Sequence, residues 1–156
     1  MELRAESPLM SNSAREAFEK GLELFREGRL LAALGQFERS FSLDNSNVVC
    51  ESYIALLIAS ERGQLQKAFT ICEEAIKKSP DEPLLYLNLG RLYIRAGRRG
   101  EAIDTIRKGL GIRHMPEGVA ILDSLGTRQP PVFRFLSRGH FLNKYAGMLL
   151  KRLGFR

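Results

Sequence analysis

The sequence predicts an all-α fold of stacked helical hairpins, and three observations carry that prediction. A four-point signature recurs at Gly28/Ala33/Phe37/Ser40, Gly63/Ala68/Cys72/Ala75 and Gly97/Ala102/Ile106/Gly109. Every member advances by 35 residues and then by 34, so the pattern is a register. A period of that length marks paired helices that cannot bury their apolar faces alone and stack to do so. Between these points, apolar residues keep helical spacing, as in Ala17/Gly21/Leu24 and Phe18/Leu22/Phe25. The breaks also fall at stop signals: Gly28, Gly63 and Gly97 within hairpins, polar or proline-containing runs between them.

Taken in order, residues 1–12 lack periodicity and read as a loose leader. Ser13 and Glu16 form a Ser-x-x-Glu capping box that opens the first helix. Gly28 ends it, because glycine tolerates the left-handed conformation after a helix. A second helix runs from about Leu30 to Leu43, and Asp44-Asn45-Ser46-Asn47 connects it onward. The next pair covers about Val48 to Glu61 and Gln64 to Lys78. Ser79-Pro80-Asp81-Glu82-Pro83 breaks the chain, with Asp81 placed to cap the following helix. The third pair covers about Leu84 to Arg95 and Arg99 to Ile112, and His114-Met115-Pro116 closes it. Glu117 to Leu125 has the spacing of a seventh helix that caps the last apolar edge. The predicted organisation is a leader (1–12), a repeat domain (13–126; repeats about 14–48, 49–82 and 83–116, capping helix 117–126) and an extension (127–156).

These residues resemble the tetratricopeptide repeat. Tyr86, Leu89-Gly90, Tyr93 and Ala102 of the third unit follow the family pattern closely. The first unit keeps Gly21, Ala33 and Phe37, and the second keeps Ala68, Ala75 and Pro80. Departures are Asn45 and His114 where proline is usual, Leu56 where a small residue is usual, and Gly109 for alanine. The resemblance implies a right-handed superhelical solenoid of three hairpins that binds a protein or peptide partner on a concave face. By register that groove takes Phe18, Leu22 and Arg26 from the first unit, Tyr53 and Leu57 from the second, and Leu87, Asn88, Arg91 and Arg95 from the third. Chaperone-binding members hold a terminal carboxylate with Lys and Asn; the matching places here are mostly Phe18, Leu22, Ile54 and Leu84, with only Asn88 fitting.

The groove is therefore apolar with a basic end. Either a partner segment fills it, or the chain fills it itself, or some of these residues pack between repeats. Arg91 and Arg95, one turn apart, pair with an acidic ligand group or form a solvated face near Asp104 or Glu101.

The net charge of +6 is uneven. Residues 1–116 hold 17 Lys and Arg against 16 Asp and Glu, whereas 117–156 hold 7 against 2. Within 127–156 a Pro-Pro connector precedes a helical stripe of Leu142, Tyr145, Ala146, Leu149, Leu150 and Leu153. Three readings stand for it: a lid on the repeats, a helix for an acidic partner or self-association, or a contact with nucleic acid or an anionic membrane.

The sequence carries no catalytic signature. No phosphate-cradling glycine loop, metal-ligand pattern or nucleophile with a nearby base is present, so neither catalysis nor a metal or other cofactor is expected. The longest apolar stretch, about Ile54 to Ala59, is far short of a membrane span. The start shows no secretory signal, and two cysteines make no disulfide framework; a cytoplasmic interaction scaffold is the expectation.

Overall fold

The computed structural model describes residues 12–126, which form seven α-helices. These are α1 (Asn12–Arg26), α2 (Leu30–Leu43), α3 (Val48–Glu61), α4 (Leu65–Lys78), α5 (Pro83–Arg95), α6 (Arg99–Ile112) and α7 (Pro116–Ser124). The chain divides into two compact units, residues 1–122 and 123–156. The hairpins belong to the first. Residues 1–11 and the extension expected over 127–156 lie outside the described residues.

The closest helix pairings are α1 with α2, α3 with α4 and α5 with α6, and each hairpin stacks on the next. Their turns are built alike. Gly28, Gly63 and Gly97 have φ of 75°, 66° and 72°, the region where a side chain is strained. That conformation lets the amides of Arg29 and Arg98 return to the Leu24 and Tyr93 carbonyls at 2.9 and 2.8 Å. The second helices of the hairpins therefore start without side-chain caps.

Helix starts differ from the sequence reading in two places. Ser13, expected to cap the first helix, is itself helical within α1. Glu82, not Asp81, caps α5, accepting from the Leu84 amide at 3.2 Å. Pro83 explains the second difference: it occupies the first helical position, where a missing N–H is harmless, and so fixes its predecessor as the cap. Asn47 caps α3 by accepting from the Cys50 amide at 3.0 Å.

α3 is the central element. Cys50, Ser52, Tyr53 and every residue from Ala55 to Ala59 are buried, which is why its sequence is apolar on nearly all sides. The main core gathers around it from α1, α2, α4 and α5. A smaller cluster of Leu87, Ile106 and Met115 lies beneath α7, with Ile121 and Leu122 packed against it.

The recurring small residues mark helix crossings. A Cβ on Gly21 would stand 2.7 Å from the Phe37 ring, and one on Gly90 would stand 2.4 Å from Ile106. The middle repeat reverses the arrangement: Leu56 and Cys72 hold the matching positions, both buried in the main core. Each repeat thus combines one bulky residue with one small one, and interior packing near crystal density keeps the sum.

Candidate functional site: a cleft on the first helices

The first helices of the hairpins share a face, and a cleft of about 350 Å³ opens there. Phe18, Leu22, Phe25 and Arg26 of α1 form one wall, and Asn47, Val49 and Tyr53 form another. Leu84 and Glu117 complete it. Phe18, Leu22, Phe25, Val49 and Leu84 are each half-buried, so their apolar faces meet both the core and the cleft.

Its aromatic end is a continuous cluster. Tyr53 stacks on Phe37 with centroids 5.0 Å apart and an interplanar angle of 14°. Phe25 meets the same tyrosine edge-on at 5.3 Å, and Phe18 meets Phe37 at 5.6 Å. Such tilted and offset contacts suit the ring quadrupoles and fix the rotamers of the cleft wall. Burial raises the Tyr53 phenol above its ordinary pKa, and the charge of Arg91 draws it partly back.

A polar chain adjoins the cleft at Glu117. Asn88, fully buried, donates from Nδ2 to Ser52 Oγ at 2.9 Å, and Ser52 donates in turn to the Val49 carbonyl at 2.7 Å. Arg91 Nη1 donates to Asn88 Oδ1 at 2.7 Å. Its Nη2 pairs with Glu117 Oε1 from α7, and its Cζ lies 5.4 Å over the Phe25 ring. This chain of bonds satisfies buried polar groups that would otherwise penalise folding. It also links α3, α5 and α7 through one side-chain path.

The structure sorts the residues assigned to the groove. Phe18, Leu22, Arg26 and Tyr53 line the cleft together. Leu57 and Leu87 are fully enclosed in the two core clusters and offer a ligand no surface. Asn88 is likewise enclosed, as the centre of the polar chain. Arg91 and Arg95 part company: Arg95 donates to the Ala59 and Ser60 carbonyls at 3.1 and 2.9 Å, capping the last turn of α3. The acid beside Arg91 is Glu117, and neither arginine makes an ion pair with Asp104 or Glu101. Ser52 and Glu117 carry no sequence signal for these roles, since their partners lie 36 and 26 residues away.

Elsewhere, chemistry has little purchase. Cys50 and Cys72 are buried free thiols, raised by burial to about 11 and about 12, hence protonated at neutral pH. Among the described residues no three His, Cys, Asp or Glu are grouped to hold a metal ion. None of the described helices is long and apolar enough to cross a membrane.

Helical hairpins stacked at this period, with a cleft on their first helices, define a helical-repeat binding protein. Residues 59–122 match the tetratricopeptide repeat family. The hairpins of this chain have the fold of tetratricopeptide repeats. It is similar to the TPR repeat-containing thioredoxin TTL4 of Arabidopsis thaliana, 31% identical over 93 residues; these are 60% of this chain but 13% of that relative's length. Among solved structures it is similar to the Arabidopsis OM64 TPR domain (TM-score 0.56, 18% identity, covering 73% of this chain and 94% of that one). It is also similar to the first TPR of Spaghetti (RPAP3) bound to an HSP90 peptide (TM-score 0.56, 19% identity, covering 74% and 92%). At such identities the structural likeness shows the fold alone. Tetratricopeptide repeats are protein-interaction modules.

Proposed function

We propose that this chain is a non-catalytic adaptor, cytoplasmic in location, that takes an apolar peptide or helix into the cleft. The observation that carries this reading is the row of half-buried apolar side chains around an open volume of about 350 Å³. Phe18, Leu22 and Tyr53 are the anchors, because aromatic and aliphatic groups in a desolvated pocket dominate such interfaces. Arg26 stands at the rim and contributes orientation and encounter rate more than affinity.

The RPAP3 repeat is bound to an HSP90 peptide, SRMEEVD. Here, four of the five places matched to a carboxylate clamp are Phe18, Leu22, Ile54 and Leu84. An apolar ligand fits those side chains better than an acidic chaperone tail.

Peptide-library display against the full chain tests the proposal. Enriched peptides should carry two or more apolar residues, and Leu22→Asp should abolish their binding while the far-ultraviolet circular dichroism spectrum is unchanged. Leu22 is suited to this test because it is half-exposed, whereas Asp at Leu57 or Leu87 would probe folding. Undiminished binding by Leu22→Asp overturns the assignment.

A further inference from the structure

We infer that Glu117 is a built-in competitor for the cleft, and that the segment bound there carries an acidic side chain that displaces it from Arg91. The inference rests on the cleft reading above and adds the charge its occupant must bear.

Arg91 is organised to recognise a carboxylate. Its side chain is only 14% exposed, with one nitrogen fixed on Asn88 and the guanidinium laid over Phe25. The remaining edge meets Glu117, which lines the cleft. Asn88 leaves one edge of the guanidinium for a carboxylate, and Glu117 of α7 occupies it.

Glu117 is the replaceable partner. Its side chain is 57% exposed, so little solvation changes when it swings outward. A ligand carboxylate then takes the same Arg91 edge with the same charge-assisted bond. Arg26, the second cation of the cleft, forms no ion pair among the described residues. With Glu117 displaced, an incoming carboxylate meets Arg26 in the lining and Arg91 behind Glu117 and Phe25. Arg95 does not share this role, since two α3 carbonyls occupy it.

The test uses two probes, acetyl-Leu-Phe-Glu-Leu-Phe-amide and its Gln counterpart, titrated into the isotope-labelled full chain and followed by NMR. Glu117→Gln should bind the Glu peptide about fivefold tighter than the parent does, with no change for the Gln peptide. Arg91→Gln should lose the preference for Glu over Gln. Equal gains for both peptides, or none for either, overturn the competitor role while leaving cleft binding intact. If neither peptide perturbs the cleft signals in any variant, the cleft reading falls, and this inference with it.

Discussion

The cleft wall and the polar chain beside it are built by opposite means. Around Phe18, Phe25, Phe37 and Tyr53 the wall is made of rings whose contacts are many and individually weak. The adjoining chain of Ser52, Asn88, Arg91 and Glu117 is held by a few directional bonds, each of which leaves an orphan when broken. The difference separates two jobs. Ring packing supplies stability and a tolerant apolar surface, whereas the polar chain sets the spacing of α3, α5 and α7.

The comparison can be broken most forcefully at Phe37. It is fully buried beneath the cluster, and Phe37→Ala should cost about 3–5 kcal/mol in urea unfolding. Phe18→Ala, at the half-exposed edge of the same cluster, should cost about 1–2 kcal/mol. Equal losses would mean that the rings do not share one graded core.

In the polar chain, Asn88→Ala strands Ser52 Oγ and part of Arg91, with an expected loss of about 1–3 kcal/mol. Combining Ser52→Ala with Asn88→Leu should be less damaging than the sum of the two single changes, because the hydroxyl that Asn88→Leu alone would strand is gone. Simple additivity would contradict a connected network.

The two thiols probe both parts by pH. Cys50 Sγ lies 3.3 Å from the Phe37 carbonyl oxygen, and Cys72 Sγ lies 3.9 Å from that of Ser52. Both have pKa values raised above the unfolded value near 9, to about 11 and about 12. Above pH 9 the unfolded chain therefore binds fewer protons than the folded one. Their contribution is complete below pH 9 and is lost as pH rises through 11 to 12. Unfolding free energy should fall by roughly 2 kcal/mol between pH 9 and pH 10, about half from each thiol, and Cys72→Ala should halve that slope. The smallest expected effect is that of Glu117→Gln, below about 1 kcal/mol on stability, since the acid is largely in water. A larger loss would make the Arg91 pair a structural brace.

How much of this was legible in the sequence follows from the range of each interaction. The turn glycines and the crossing residues act within one hairpin, so a repeat of 35 and then 34 residues located them. The cap on α5 was misplaced by one residue because Asp81 is the better capping side chain, but Pro83 decides the geometry. Groove residues were harder. Register tells which side of a helix Leu57 and Leu87 face, yet a first helix packs against its own hairpin and the next one. The border between the open face and that interface falls within a single turn. Arg95 and Asn88 act on α3, one repeat earlier, and Arg91 acts on α7. Those meetings depend on how hairpins stack, which periodicity does not encode.

The reversal at Leu56 and Cys72 bears on how such a chain can be altered. Gly21 with Phe37, and Gly90 with Ile106, divide a fixed volume one way, and the middle repeat divides it the other. Importing glycine at 56 from either neighbour would open a void, and importing phenylalanine at 72 would drive two helices apart. The heritable unit in this array is therefore the couple of facing positions, and a graft between repeats succeeds only when both halves travel together.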